Sequence, residues 1–305
     1  SVRQMTHTIT WKIEDILNAT GGEYLCGDKR RALSGVSIDS RRIGDREIFV
    51  AIKGRRHDGH DFLPEVVESD AGAIVGQGEQ IRQSVDMIKN AGLAGIAVSN
   101  TLVALGDMAR YQRRQVKLPV VAITGTNGKT TTKEMAARIC EQRFQVLATA
   151  GNYNNAVGLP LTLLRLNRAH QVGILEMGMN APGEIAYLAN ICEPDIGVVL
   201  NIGSGHLAGV GSLAGVARAK GELIESLGSA GTAIINIDDD RVRALTEKAA
   251  GPVVTFGISP EADVRACRIQ TTGAGLVFDL QLPGAGECCD VKLPAFGQYM
   301  VHNAL

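Results

Sequence analysis

The stretch that most constrains the fold is VVAITGTNGKTTTKEMAARI, which runs from Val120 to Ile139. An apolar, β-branched run leads into a glycine-rich turn, and a helical pattern follows the turn at once. The turn ends in Gly-Lys-Thr, which is how a phosphate-binding loop ends. The usual nucleotide-binding pattern would also place a glycine at position 123, where this chain has Ile123. The loop is therefore shorter than usual, and a plain strand–turn–helix remains the alternative.

The shorter turn still has the chemistry that phosphate binding needs. Glycines let backbone N–H groups point at phosphate oxygens, and the N-terminus of the following helix adds positive potential. Lys129 would bind the β- and γ-phosphates, and the Thr130 hydroxyl would face Mg²⁺. Glu176 ends the predicted strand Val172–Glu176, and the carboxyl ends of parallel strands face the ligand crevice. It is a candidate metal ligand, with a surface glutamate as the alternative.

Lys220 stands out because it falls on the apolar side of a predicted helix. It follows Val216 by four residues and precedes Ile224 by four, and Ser212 is the predicted N-cap of this helix. A charged amine on that side is costly unless it is paired or modified. Three states of Lys220 would avoid this cost. Its ammonium extends to water, it forms a salt bridge, or it carries a carbamate that could bind a metal. The spacing alone does not choose among these.

Two more polar segments follow predicted strands. His206 lies in a glycine-rich loop, where a neutral imidazole could bind a second metal, although a lone loop histidine is more often simply exposed. Asn236 and the three aspartates after Ile237 end the next strand and are available to a nucleotide or a metal.

Composition excludes several classes of protein. The net charge of −1 gives no overall attraction to nucleic acid or to an anionic membrane. The sequence has no apolar run near the ~20 residues that a membrane span requires, and its N-terminus lacks an apolar signal-peptide core. The six cysteines show no CxxC spacing, which favours reduced thiols in the cytoplasm. We expect no nucleic-acid partner and no membrane insertion.

The order of predicted elements indicates an α/β protein with two domains. Residues 1–100 read as a small N-terminal α/β domain, 101–117 as a connecting helix, and 118–305 as a central domain. In the central domain strands alternate with helices, which is typical of a mostly parallel sheet. From about Ala262 the pattern changes to a period of two, which predicts a small antiparallel addition.

The motifs together resemble those of a known family. GTNGKTTT, EMG, NIGSGHL, AKGE, NIDDD and the terminal HN occur in the order seen in Mur ligases, the ATP-dependent amide-forming enzymes of peptidoglycan synthesis. The segments GNYNNAVGLPLTLLRL and EMGMNAPGEI are most similar to the branch that joins D-alanyl-D-alanine to UDP-N-acetylmuramoyl-tripeptide. The early DSRRIGDREIFVAIKGRRHDGHDF resembles the UDP-substrate domain. The branch that adds the third amino acid, and a nucleotide-binding module without ligase chemistry, are the alternatives.

The resemblance implies a role for each group of residues. ATP would be bound by Gly125, Thr126, Asn127, Gly128, Lys129, Thr130, Thr131, Asn236, Asp238, His302 and Asn303. Magnesium, with two sites expected, would be bound by Thr130, Glu176, His206 and a carbamylated Lys220, and the catalytic set would be Lys129, Lys220 and His206. The UDP substrate would contact Ser37, Asp39, Ser40, Arg41, Asp58, Gly59, His60, Asn152, Asn154 and Asn155.

The resemblance also implies a third domain that closes over ATP, and this chain stops at Leu305, where that domain would begin. We therefore expect a monomeric fragment that keeps both binding surfaces and has little or no ligase activity. Phosphate release that depends on D-alanyl-D-alanine, at the rate of an intact ligase, would contradict that expectation.

Overall fold

The computed structural model describes residues 9–54, 56–205, 210–284 and 289–305. The chain divides into two compact units. The first runs up to Lys117 and also includes Ala156–His170, and the second comprises Leu118–Asn155 and Gln171–Leu305. Residues 156–170 were predicted to belong to the central domain, 118–305, but the structure groups them with the first unit.

The first unit is built around a five-stranded sheet. Its strands are β1 (Glu23–Cys26), β2 (Val36–Ser37), β3 (Ile48–Val50), β4 (Ala73–Gln77) and β5 (Ala94–Val98). Its helices are α1 (Ile13–Thr20), α2 (Leu63–Val67), α3 (Gly78–Arg82), α4 (Val85–Asn90), α5 (Thr101–Gln115) and α7 (Gly158–Leu163), with 3₁₀ turns at Ser40–Arg42 and Gly59–Phe62. The strand order is β1-β5-β4-β3-β2, in which β1 is antiparallel to β5 and the other pairs are parallel. The near-continuous apolar runs of β4 and β5 are buried, as expected for parallel strands covered on both faces.

One buried amide explains why residues 156–170 belong to the first unit. Gln112 of α5 accepts a hydrogen bond from Trp11 Nε1 at 2.8 Å. Its own Nε2 donates to the carbonyl oxygens of Leu164 at 2.9 Å and Leu166 at 2.7 Å, just after α7. These hydrogen bonds join three segments that are far apart in the chain, and sequence spacing does not reveal such pairing.

The second unit is built around a nine-stranded sheet. Its strands are β6 (Val120–Thr124), β7 (Val146–Ala148), β8 (Val172–Glu176), β9 (Ile196–Val199), β10 (Thr232–Asn236), β11 (Val253–Gly257), β12 (Val264–Thr272), β13 (Gly275–Gln281) and β14 (Cys289–Leu293). Its helices are α6 (Lys129–Cys140), α8 (Glu184–Cys192), α9 (Leu213–Glu225), α10 (Asp240–Arg243) and α11 (Tyr299–Ala304), with a 3₁₀ turn at Ala244–Lys248. Across the sheet, every pair of adjacent strands from β7 to β12 is parallel. The pairs β12–β13 and β13–β14 are antiparallel. The predicted fold class, a mostly parallel sheet with a small antiparallel addition, is confirmed.

The strand order of this sheet, β14-β13-β12-β11-β10-β9-β6-β8-β7, puts β6 between β9 and β8. The order of the parallel strands reverses at β6, and such a reversal opens a crevice beyond the carboxyl ends of the strands. The loop after β6 therefore lies between the ends of β8 and β9. Polar residues that follow these three strands converge there.

Among the helices that the structure describes, none is both long and apolar enough to cross a bilayer.

Candidate active site

The loop from Gly125 to Gly128 joins β6 to α6 and forms the centre of the site. Gly128 has φ of 83° and precedes the first helical residue, Lys129. A Cβ added at Gly128 would lie 2.2 Å from Asn303 Oδ1, so this position needs glycine for space as well as for its backbone. The first-turn N–H groups of α6, at Lys129, Thr130 and Thr131, have no acceptor within the helix and are suited to an anion.

Two lysines meet at this loop. Lys129 Nζ donates to the carbonyl oxygens of Gly125 at 2.9 Å and Thr126 at 3.1 Å. Lys220 Nζ reaches the same Gly125 oxygen at 2.8 Å from α9, whose N-terminus is capped by the Ser212 side chain as predicted. Lys220 is only 1% exposed, so the idea that its ammonium extends to water is wrong. The lysine instead points into the loop.

The surroundings of both lysines disfavour the charged amine. Burial, with a smaller contribution from the nearby positive charge of Lys129, lowers the pKa of Lys220 to about 7. Burial also lowers the pKa of Lys129, while the Glu176 carboxylate opposes that shift. Near neutral pH a substantial fraction of Lys220 is therefore a free amine, which is the form that reacts with CO₂.

Glu176 is a buried carboxylate at the end of β8, and it is 1% exposed rather than a surface glutamate. Its Oε2 accepts from the Thr130 hydroxyl at 2.8 Å, and its Oε1 accepts from Asn154 Nδ2 at 2.7 Å. Both donors are neutral, so neither of them forms an ion pair with the carboxylate. Carboxylate and hydroxyl oxygens are the ligands that Mg²⁺ prefers, so this pair fits the predicted metal.

The metal site is not fully described by the structure. His206, the other predicted ligand, lies outside the described residues. Within the described ranges, no three His, Cys, Asp or Glu side chains cluster closely enough to hold a metal. The magnesium set consequently stays a prediction that rests on Thr130, Glu176 and the state of Lys220.

The loop after β7 adds the predicted asparagines. Asn154 contacts Glu176 as described above, and its backbone oxygen accepts from Gly178 N at 2.8 Å. The structure thus brings Asn154 to the Glu176 carboxylate, while Asn152 and Asn155 are exposed in the same loop.

A cavity of about 510 Å³ lies beside the loop. It is lined by Asn127, Gly128, Leu200, Asn201, Asn236, Tyr299, His302 and Asn303. Three of the residues predicted to bind ATP beyond the loop, Asn236, His302 and Asn303, line it. Tyr299, whose aromatic ring is 67% exposed, was not predicted, because nothing in the sequence distinguishes it from other surface aromatics.

Asp238 differs from the prediction because it does not line this cavity. Its carboxylate accepts hydrogen bonds from the backbone N–H groups of Ile258 at 2.6 Å and Ser259 at 3.0 Å, and it pairs with His302 Nε2 at 2.8 Å. Burial tends to raise the pKa of Asp238, but these hydrogen bonds outweigh it and the pKa is lowered. Asp238 therefore contacts His302, which lines the cavity, and a direct contact of Asp238 with ATP stays a prediction.

The predicted UDP-substrate residues of the DSR and DGH segments lie in the first unit, at or after the carboxyl ends of β2 and β3. Asp39 accepts from Arg41 N and forms a two-point ion pair with the Arg41 guanidinium, at 2.9 and 3.0 Å. Asp39 N donates to Ser37 Oγ at 3.2 Å, and Ser40 Oγ donates to Glu65 at 3.3 Å, close after the DGH segment. This contact joins the DSR segment to α2, which follows the DGH segment, although 16 residues lie between Arg41 and Asp58 along the chain.

The DGH segment is braced internally. His60 Nε2 accepts from Gln77 N at 2.8 Å, so His60 Nδ1 carries the proton that faces Asp58 at 2.6 Å. Burial tends to raise the pKa of Asp58, but hydrogen bonds from His60 and Gln80 lower it to about 2. A Cβ on Gly59 would lie 2.7 Å from Ile52 N. These contacts show that Asp58, Gly59 and His60 shape the loop, whatever ligand it binds.

Two residues near the site were missed by the sequence reasoning. Lys133, four residues after Lys129, is fully buried and donates to Thr149 O at 2.7 Å. Thr149 Oγ1 in turn accepts from Glu176 N at 3.0 Å. Asn201, which follows β9, forms hydrogen bonds to the phosphate-binding loop. The sequence signal for Asn201 is a polar residue near a strand end, the same signal that singled out Glu176 and Asn236.

The geometry defines a class: an α/β protein with a phosphate-binding loop at the strand-order reversal of a parallel sheet. Comparison with known sequences is more specific. Residues 123–305 match the Mur ligase middle domain, and residues 32–113 match the Mur ligase family catalytic domain. This chain belongs to the Mur ligase family.

Individual relatives agree with that assignment. The UDP-N-acetylmuramoyl-tripeptide–D-alanyl-D-alanine ligase of Escherichia coli K12 is 38% identical over 275 residues, which are 89% of this chain and 58% of the relative. A crystal structure of MurF from Acinetobacter baumannii superposes with a TM-score of 0.87 at 32% identity, covering 97% of this chain and 63% of that one. The structure of MurF from Thermotoga maritima in complex with ADP superposes with a TM-score of 0.78 at 27% identity. This match covers 88% of this chain and 60% of that one. The chain spans less than two thirds of each of these proteins.

Proposed function

We propose that this chain provides the ATP-binding and UDP-substrate-binding parts of a cytoplasmic ligase that joins D-alanyl-D-alanine to UDP-N-acetylmuramoyl-tripeptide. The observation that carries the proposal is the linked set of contacts among Lys129, Thr130, Glu176 and Lys220 around one loop. The 38% identity to the Escherichia coli ligase supports these substrates. The ADP bound by the Thermotoga relative supports a nucleotide in the cavity beside the loop.

The proposed chemistry transfers the γ-phosphoryl group of ATP to the C-terminal carboxylate of the tripeptide. The amine of D-alanyl-D-alanine then attacks the acyl phosphate, and the amide forms as phosphate leaves. Both reactants of the first step are anions, so positive charge must lie between them. In this proposal Lys129 turns from the Gly125 and Thr126 carbonyls toward the phosphates. Bound Mg²⁺ would screen the remaining repulsion and polarise the phosphoryl oxygens.

Lys220 has a separate role in this proposal. As a cation it would repel Mg²⁺, but as a carbamate it would supply an anionic oxygen beside Glu176 and Thr130. Its burial and its lowered pKa favour the free amine that carbamate formation requires. His206 would complete the metal set.

Lys220 is expected to take up CO₂ near pH 8. In ¹³C-bicarbonate buffer, ¹³C NMR should show one carbamate resonance that is lost on acidification, because the carbamate then decomposes. The resonance should be absent from Lys220→Met and present in Lys89→Met, which changes an exposed lysine of α4. A spectrum that is the same in both variants would exclude a carbamate on Lys220.

The substrate proposal is tested by affinity and by product. The chain should bind UDP-muramoyl-tripeptide more tightly than UDP-muramoyl-dipeptide, as measured by calorimetry. Any phosphate release from ATP should require the tripeptide and should produce the amide, detected by mass, only with D-alanyl-D-alanine. The Escherichia coli relative is the positive control. Preference for the dipeptide would favour the branch that adds the third amino acid, and ATP hydrolysis that ignores both UDP compounds would favour a plain nucleotide-binding module.

A further inference from the structure

The Asn201 side chain, to which the family motifs assign no role, makes three hydrogen bonds to the phosphate-binding loop. Its Oδ1 accepts from the backbone N–H groups of Thr126 at 3.1 Å and Asn127 at 2.9 Å. Its Nδ2 donates to Asn127 O at 2.9 Å. One half-buried amide therefore uses both its acceptor and its donor on two consecutive residues of the loop.

The segment that begins at Asn201 is itself anchored on both sides. Thr126 N also donates to the Asn201 backbone oxygen at 3.0 Å, and Gly203 N donates to Thr126 Oγ1 at 2.8 Å. On the far side, Ile202 N donates to Asp239 Oδ2 at 2.8 Å. Asn201 therefore connects the loop after β6 to a segment that is fixed at the end of β10.

We propose that Asn201 is a positioning residue that holds the phosphate-binding loop in the shape that receives the β- and γ-phosphates. By occupying the N–H groups of Thr126 and Asn127, its side chain turns that half of the loop toward β9. The N–H groups of Lys129 and Thr130 are then left for phosphate. This inference rests on the proposed function, because it assumes that the loop binds ATP.

The choice of asparagine follows from this geometry. An aspartate would keep the acceptor but would place a carboxylate oxygen against Asn127 O, where Nδ2 now donates. It would also add a negative charge near the phosphates. Alanine would remove all three side-chain hydrogen bonds. Both changes should disturb the loop and leave the rest of the adjoining cavity in place.

The test compares two nucleotides, ATP and AMP, that differ only in the number of phosphates. For Asn201→Ala and Asn201→Asp, the Kd of ATP with Mg²⁺ should rise at least 10-fold, with a larger rise for aspartate, while the Kd of AMP changes less than 3-fold. Amide hydrogen exchange at Asn127 should also accelerate in the unliganded variants, whereas Thr126 N keeps the Asn201 backbone oxygen as an acceptor. The matched control is Asn90→Ala, an exposed asparagine of the first unit, which should change none of these values.

Several results would overturn the inference. Unchanged ATP affinity in both Asn201 variants would do so, as would equal losses for ATP and AMP, because equal losses mean that the whole cavity is disturbed. Unchanged exchange at Asn127 would also count against it, even if AMP binds too weakly to measure. Failure of the unsubstituted chain to bind ATP is a different outcome, since it would refute the proposed function together with this role.

Discussion

Lys129→Ala is expected to weaken binding of ATP with Mg²⁺ by roughly 10- to 150-fold, because hydrogen bonds to a charged group contribute roughly 1.5–3 kcal/mol. In the unliganded protein the Lys129 ammonium lies over Gly125 O and Thr126 O, within reach of the space that the β- and γ-phosphates would enter. Alanine removes the cation and leaves the loop backbone intact. Calorimetric titration with ATP measures the change directly.

The control for this experiment is an exposed lysine. Lys89→Ala removes a surface charge of α4 and should leave ATP affinity within 2-fold of the unsubstituted chain. AMP, which lacks the β- and γ-phosphates, should lose much less affinity than ATP in Lys129→Ala. If Lys129→Ala binds ATP as well as the unsubstituted chain does, Lys129 is not the phosphate-binding lysine.

Stability is expected to rise with pH because of Lys220. Its pKa is about 7 in the folded chain, against an ordinary value of 10.5. Between these two values the unfolded chain binds a proton that the folded chain has released, so the free energy of unfolding increases with pH in this window. For this one group the increase from pH 7 to pH 9 amounts to about 2 kcal/mol. Below pH 7 Lys220 is protonated in both states and contributes no further slope.

The measurement is urea unfolding in CO₂-free buffers at pH 7, 8 and 9. Lys220→Met should be the more stable protein at pH 7, because there the unsubstituted chain must either bury the Lys220 ammonium or release its proton on folding. Its advantage should shrink by about 2 kcal/mol by pH 9. Lys89→Met should follow the unsubstituted chain throughout. Curves for Lys220→Met and the unsubstituted chain that run parallel from pH 7 to pH 9 would mean that the Lys220 pKa is not lowered by folding.

Much of the second unit could be predicted because its signals are local. The strand, glycine turn and helix around Gly125 follow one another without a gap, and the structure places β6 and α6 at the expected residues. Lys220 could be singled out because helical spacing places it among apolar residues, and such a position must have a reason. Glu176 could be proposed from a strand end alone. In each case one short stretch of sequence contains the whole argument.

The rest depended on which distant segments meet. The pairing of Gln112 with Leu164 and Leu166, which groups residues 156–170 with the first unit, has no local signal. The family resemblance implied that Asp238 binds ATP, and its position near a strand end made it available to a nucleotide or a metal. Only the fold reveals that backbone N–H groups of the next strand's loop and His302 already occupy its carboxylate.

The account depends on a magnesium-bound triphosphate between Lys129 and Glu176. The most direct test is the affinity for ATP measured with and without Mg²⁺, in the unsubstituted chain and in Glu176→Gln. Glutamine keeps the size of the side chain and an oxygen for Thr130 or Asn154, but it removes the charge that binds the metal. Mg²⁺ should strengthen ATP binding at least 10-fold in the unsubstituted chain and less than 3-fold in Glu176→Gln, with similar metal-free affinities in both. An equal strengthening by Mg²⁺ in the two proteins would contradict the account.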